Sequence, residues 1–272
     1  MLKYPKLLWE LITIIFRRVR TQGLKRTLVW LWAVGFPYVT GRVPLRWSKI
    51  TPQVYLGPQY GSAGLAGLRR AGINASVSLR DEYDDAQYGL ALADYSYLPT
   101  VDNTAPSMEH LDEGVAFIKR MVEDGKIVYI HCGSGVGRSP TVVAAYLIEE
   151  GKTMEEAVEQ IHQVRPFIRI LPEQLERLKE YEVRIRELEA TRKAAEEAEK
   201  IAEKAAKEAE RAVKKAEREA EHADDPLPQK AIHQVEEVAR DVATKTEDVV
   251  EEAVETVKKT VEETTDEVDV DV

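Results

Sequence analysis

The sequence predicts an α/β fold: a mostly parallel central sheet flanked by helices, with apolar helices added in front and a long helical tail behind. Three observations carry that prediction. Short apolar strands alternate with helix-forming runs through the middle of the chain. A glycine-bearing loop, HCGSGVGRS, joins one of those strands to the next helix. Charge is also divided by segment, with +8 over residues 1–47, −6 over 48–188 and −12 over 189–272, so the overall −10 hides three different pieces.

Strands are expected near Val54–Leu56, Ala75–Leu79, Tyr95–Leu98 and Ile127–Ile130, and helices near 62–71, 107–124 and 139–150. Helices near 153–164 and 172–188 close this central domain. Gly72, Gly125 and Gly151 stand where helices should stop, and Asp124 with Gly125 marks the turn into the fourth strand. Alternation of this kind calls for crossover connections, and so for parallel strands with a loop site at their carboxyl ends.

That loop carries the chemistry. Cys132 is the only cysteine of 272 residues, which excludes an internal disulfide and suits a reducing compartment. A lone cysteine is commonly a small buried hydrophobe. Here a strand, three glycines, an arginine six residues on, a serine and a helix start follow in order. Such a loop turns its backbone N–H groups toward one point and cradles phosphate oxygens. Gly133, Ser134, Gly135, Val136 and Gly137 would supply those N–H groups, and Arg138 a planar fork matching two oxygens. The same groups would hold Cys132 as thiolate, ready to attack phosphorus. Ser139 can donate its hydroxyl to the sulfur, and His131 can orient the loop without touching substrate.

HCGSGVGRS resembles the HCxxGxxRS signature of the cysteine-dependent phosphatases, in their dual-specificity branch. The likeness extends over about 140 residues, Ser48 to Leu188. KITPQVYLGPQYGSAGLAGLRRAGINASVSLRDEYDD is similar to the branch's opening strand, helix and second strand, and RPFIRILPEQLERLKEYE to its closing turn and helix. Ser134 stands where many relatives carry Ala, and the loop has none of the basic residues found in relatives that prefer inositol lipids. The resemblance implies a two-step hydrolysis of phosphomonoesters with no metal and no cofactor. His110, His131, His162, His222 and His233 are likewise too scattered to suggest metal ligands.

Protonating the leaving oxygen requires an acid opposite the thiolate. The family keeps an Asp about thirty residues before the cysteine, and Asp102, in YLPTVDNTAPS, matches that place. A turn-forming or capping role is the plainer alternative for it, and Asp94 is the nearest rival. Asp81, Asp84 and Asp85 are expected on the rim or in solvent. Phosphotyrosine and phosphoserine/threonine proteins are the leading substrates the branch implies. DEYD, PTVD and LPEQLERLKEYE also look similar to phosphatases of phosphatidylglycerophosphate, which makes a membrane lipid the alternative substrate. A third reading, from another class, is a non-catalytic phosphate-binding protein at a membrane.

Residues 1–47 hold two apolar runs, LLWELITIIF (7–16) and LVWLWAVGFPYV (28–39), with Arg17, Arg18, Arg20, Lys25 and Arg26 between them and all four tryptophans in the segment. Neither run reaches the roughly 18 residues of a spanning helix. Glu10 and the lack of a small-residue cleavage pattern argue against a signal peptide. The favoured reading is attachment to an anionic bilayer surface on the reducing, cytoplasmic side. The alternative is two helices packed on the core. In residues 189–272, Ala198, Ala205 and Ala212 and again Ala202, Ala209 and Ala216 recur every seven positions, a seam too small-sided for a strong coiled coil. DDPLPQ (224–229) then breaks the run, and Val235, Val242 and Val249 repeat the step. This tail reads as a spacer, a self-association arm or a lipid-skimming helix, or as a solvated and partly disordered end. No part of the chain has a nucleic-acid-binding pattern.

Overall fold

β1 (Val54–Gly57), β2 (Ile73–Arg80), β3 (Asp94–Thr100) and β4 (Ile127–His131) pair in parallel, in the order β1-β4-β2-β3. The nucleophile strand therefore lies inside the sheet. Its Gly57↔His131 pairing with β1 and Ser78↔His131 pairing with β2 bring all three carboxyl ends level. Val128, Tyr129 and Ile130 are fully buried, as a central parallel strand covered on both faces requires.

The computed structural model describes residues 5–221 and positions 233, 237, 240 and 244. Among these the helices are α1 (Pro5–Gln22), α2 (Leu24–Trp30), α3 (Phe36–Thr40), α4 (Ser62–Arg70), α5 (Met108–Glu123), α6 (Arg138–Glu149), α7 (Met154–Val164) and α8 (Pro172–Glu221). Each central helix begins and ends within a residue or two of its expected place, because the caps are in the sequence. Ser107 Oγ accepts the His110 N–H at the start of α5, and Thr153 with Glu156 forms a capping box on α7. α6 is buried along nearly its whole length, with Val142, Val143, Ala144 and Ala145 inaccessible to solvent. A helix apolar all round has to lie in the core, and this one anchors the loop that precedes it.

The chain forms two compact units, Met1–Glu182 and Val183–Val272, with the division inside α8. The closing helix expected over 172–188 and the first part of the Ala-rich tail, as far as Glu221, are one helix of 50 residues, since neither Gly nor Pro interrupts the sequence between Pro172 and Glu221. Leu178 and Tyr181 bury its first turns in the first unit. Lys207–Glu203 and Lys214–Glu210 pairs lie further along it, each adding a few tenths of a kcal/mol. The DDPLPQ break and Val235, Val242 and Val249 lie outside the described residues.

The front segment belongs to the first unit and has two faces. Inward, Ala33 and Val34 form a buried cluster with Val136 of the loop and Phe167, flanked by Val29, Trp30 and Trp47. A π-helical turn, Leu31–Gly35, sets this face between α2 and α3. Outward, Trp9, Ile12, Phe16, Leu24, Leu28, Trp32, Tyr38 and Val39 are exposed. No described helix is long and apolar enough to cross a membrane.

Candidate active site

Residues 132–137 span the gap between β4 and α6, and the scaffold holds their carbonyls from outside. Gln59 N–H donates to the Gly133 carbonyl at 3.1 Å, Arg169 N–H to Val136 at 2.8 Å, and Thr141 N–H to Gly137 at 3.1 Å. Arg165 Nε donates to Gly135 at 3.2 Å. In a trans peptide the next residue's N–H points the opposite way. Pinning these carbonyls outward thus turns the N–H groups of Ser134, Val136, Gly137 and Arg138 toward the concave side. Gly135 has φ +67°, and a Cβ there would lie 2.4 Å from the Gly57 carbonyl carbon. Only glycine lets the loop seat against the end of β1.

Arg165 is buried beneath the loop. Besides Gly135 it reaches the Trp47 carbonyl at 2.7 Å and the Leu56 carbonyl at 3.3 Å, tying loop, β1 and the front segment together. Burial draws its pKa down to about 10, against the opposing influence of Tyr129 and Cys132, so it remains a cation near the sulfur at neutral pH.

Cys132 is buried, with its Sγ 3.3 Å from both the Gly135 N–H nitrogen and the Ser139 hydroxyl. Burial pushes the thiol pKa up. The Arg138 charge, the Ser139 hydroxyl and N–H, and the Gly135 N–H together outweigh that, and the net shift is downward, toward thiolate.

Arg138 opens α6, and its Nη1 donates to the Leu79 and Thr100 carbonyls at 3.2 and 2.7 Å. Glu82 grips both terminal nitrogens, at 3.0 and 3.2 Å, and Asp102 Oδ1 lies 2.8 Å from Nη2. The buried Nε has no acceptor among the described residues. A phosphate oxygen in the cradle would supply one. Glu82's own carboxyl is shifted down to about 2: burial opposes ionisation, but hydrogen bonds from Arg138, its own N–H and Arg80 prevail.

Asp102 stands on the rim with its side chain 66% exposed, in a turn whose next residue, Asn103, has φ 64°. Gln174, from the start of α8, fixes that turn by donating to the Thr104 carbonyl at 2.8 Å. Asp94, the rival acid, is at the opposite end of the sheet, paired with Lys126 at the amino ends of β3 and β4. Asp85 departs from expectation. It is fully buried rather than on the rim, with Oδ2 3.0 Å from His131 Nε2 and Oδ1 accepting from Gln59 at 2.8 Å. Burial raises its pKa, but His131, Gln59 and Tyr60 overcome this and hold it as carboxylate. His131 is buried as well, against the Tyr60 and Tyr129 rings, and does not line the cavity. Asp84 caps a short turn, accepting the Ala86 N–H and the Tyr95 hydroxyl.

The cavity over Cys132 measures about 140 Å³ and includes Arg138, Asp102, Gln174, Arg18 and Arg169 in its wall. Pockets that bury a whole drug-sized ligand run to about 300–1,000 Å³, so this one admits a phosphorylated group and leaves the rest of its bearer outside. A thiolate, a cradle of N–H groups, an arginine fork and a rim carboxyl form a set able to take a phosphoryl group onto sulfur and pass it to water. Glu82, Arg165, Gln174, Arg18 and Arg169 were not expected in the site from sequence. The first three lie in strings, DEYD, RPF and LPEQ, of which DEYD follows β2 and the other two lie around the link from α7 to α8.

Residues 54–184 match the family model described as dual specificity phosphatase, catalytic domain. The human phosphatidylglycerophosphatase and protein-tyrosine phosphatase 1 is 33% identical over 177 residues, covering 58% of this chain and 86% of the human protein. The phosphatidylglycerophosphate phosphatase PTPMT1 of Arabidopsis thaliana is 29% identical over 141 residues, 50% of this chain and 42% of the plant protein. Rat dual specificity protein phosphatase 12 is 33% identical over 137 residues, 49% of this chain and 40% of the rat protein.

Proposed function

The chain belongs to the dual-specificity phosphatase family, and from that premise we propose that it removes the terminal phosphate of a phosphatidylglycerophosphate-type lipid at a membrane surface. Sequence motifs alone rank phosphoproteins first. Two relatives named for phosphatidylglycerophosphate, one of them also for protein-tyrosine, support the lipid alternative. The observation that carries the reading lies on α1. One helix bears both a cavity-lining cation, Arg18, and the exposed apolar residues Trp9, Ile12 and Phe16. Such a face seeks the boundary between head groups and acyl chains, and the +8 charge of residues 1–47 favours an anionic bilayer. The small cavity suits this substrate, taking the head group while the acyl chains stay in the membrane. A reducing, cytoplasmic-side membrane is the location that agrees with a reactive thiolate.

In the proposed mechanism the monoester enters the cradle and its oxygens engage the loop N–H groups and the Nε and Nη2 of Arg138. The phosphate competes with Asp102 for Nη2, which frees the carboxylate to take up a proton from solvent and turn toward the leaving oxygen. Cys132 Sγ attacks phosphorus in line, the bond to the glycerol oxygen breaks, and Asp102 delivers its proton to that oxygen. The carboxylate left behind then takes a proton from water. That water attacks the cysteinyl phosphate, and inorganic phosphate departs as the thiolate re-forms with the Ser139 hydroxyl donating to it. Glu82 keeps the Arg138 plane in position throughout.

Rates on phosphatidylglycerophosphate in mixed micelles and on a phosphotyrosyl peptide, measured side by side, test the substrate assignment. The lipid should be favoured in kcat/KM by at least roughly tenfold, a transition-state difference near 1.4 kcal/mol. A clear preference for the peptide would return the reading to a protein phosphatase, and turnover of neither, nor of an aryl phosphate, to a phosphate-binding protein.

A further inference from the structure

Arg18 is a cation that the matched domain does not itself supply, since it lies in α1, far outside residues 54–184. Resting on the lipid reading above, the geometry points to a second anion subsite: Arg18 and Arg169, at the Cys132 cavity, take the phosphodiester of a glycerophospholipid whose terminal phosphomonoester is held by the cradle and Arg138.

The Arg169 backbone is tied to the loop, and the Arg18 side chain to the segment just before Arg169. Arg169 N–H donates to the Val136 carbonyl at 2.8 Å, fixing that residue at the cavity wall. Arg18 Nη1 donates to the Phe167 carbonyl at 3.4 Å, two residues before Arg169, and its guanidinium lies 4.3 Å from the centre of the Trp30 ring. Stacking on an aromatic face is a common posture for an arginine that recognises phosphate. Burial first, then the charges of Arg169 and Arg17, draw the Arg18 pKa to about 10, which leaves it cationic at neutral pH. The Arg169 charge is felt at Arg18 and both line one cavity, so an anion bound there would be attracted by both. A purely structural role, fastening α1 to the core, accounts for the Phe167 and Trp30 contacts. It does not account for bringing Arg169 and Arg18 to the wall that also contains Cys132.

The substrate's chemistry fits the arrangement. In a phosphatidylglycerophosphate-type lipid both phosphates are esters of the two ends of one glycerol, so every reacting monoester carries a second anion three carbons away. Arg138 and the loop serve the monoester, and Arg18 with Arg169 meet the diester by charge-assisted hydrogen bonds. A phosphotyrosyl side chain has no fixed second anion at that distance.

The test compares kcat/KM on three monoesters: an aryl phosphate, a short-chain phosphatidylglycerophosphate below its micellar concentration, and the same lipid with its diester methylated to a neutral triester. The wild type should prefer the charged lipid over its methylated form by roughly ten- to a hundredfold, the usual range for hydrogen bonds to a charged group. Arg18→Gln and Arg169→Gln should each erase most of that preference and cost far more on the charged lipid than on the aryl phosphate. Arg169 is exposed, so its variant answers even if Arg18→Gln loosens α1. Equal wild-type rates on the two lipids, or equal losses on all three substrates in both variants, overturn the subsite and leave the lipid assignment standing. Hydrolysis of the aryl phosphate with no turnover of either lipid overturns the lipid assignment itself, and the subsite with it.

Discussion

The floor of the cavity and its mouth are built on different terms. At the floor, Cys132, Arg138 and Arg165 are buried, and main-chain carbonyls of strands and loop fix the arginines. At the mouth, Asp102, Arg169 and Arg18 come from a turn, a loop and a helix outside the matched domain, and all three reach some solvent. Buried groups in a low-dielectric setting can be preorganised for a developing charge. Groups at the rim can move and can be exchanged, which suits proton transfer and choice of substrate. On the function proposed above, the floor would define the reaction and the mouth what undergoes it.

Replacing the sulfur attacks the floor alone and should produce the largest effect. Cys132→Ser removes the nucleophile but keeps the N–H cradle and Arg138, so turnover of every phosphomonoester should fall by on the order of 10⁴–10⁶-fold. Binding of inorganic phosphate, measured by calorimetry or as competitive inhibition constants compared with wild type, should stay within a few-fold. Substantial residual turnover would show that sulfur does not carry the phosphoryl group.

Asp102→Asn sits at the boundary between floor and mouth, and its effect should depend on the substrate. An alkyl phosphate, whose leaving oxygen needs a proton, should slow by roughly 10²–10⁴-fold, and an activated aryl phosphate by much less. Equal losses on both would assign Asp102 to holding Arg138 in place through their 2.8 Å contact, and the acid would have to be sought elsewhere on the rim.

The same division explains what could be read from sequence. The four strands, the central helices and the loop were legible because each is encoded locally, by an apolar run, a cap or a glycine. Cys132, Arg138 and Ser139 were legible because they are neighbours in the chain. Asp85 was not. Among the acids of RDEYDD nothing local separates a buried carboxylate from a solvated one, and its burial is set by His131, 46 residues later. Glu82 in the same string was passed over for the same reason, its partner being Arg138 across the sheet end. Arg18 was visible only as one of five basic residues between two apolar runs. Its place in the cavity depends on how α1 and the Trp30 turn pack on Phe167, a long-range arrangement that no local pattern announces. The front segment also shows that packing on the core and exposing an apolar face need not compete. Ala33 and Val34 are turned inward, while Trp9, Phe16 and Leu28 are turned outward.

The outward face sharpens the comparison by touching neither part of the cavity, and its substitution should have the smallest effect on chemistry. Phe16→Ser and Trp9→Ser, made together, remove two exposed aromatics from α1. Each is worth about 1.5–3 kcal/mol if it enters an apolar layer, so binding to vesicles of anionic lipid should weaken by at least roughly tenfold in a sedimentation assay. Raising salt should weaken the remaining binding further, because the +8 charge of residues 1–47 acts through screened attraction. Turnover of a soluble aryl phosphate should stay close to wild type, since the inward cluster of Ala33, Val34, Val136 and Phe167 is left intact. Rates on lipid vesicles should fall in step with binding. Deleting residues 1–47 altogether is a harsher change than this pair, because it strips that cluster from the loop and exposes Val136 and Phe167. If the double variant binds vesicles as wild type does, the exposed row is not the membrane contact, and the attachment of this protein to lipid has to be sought in another surface.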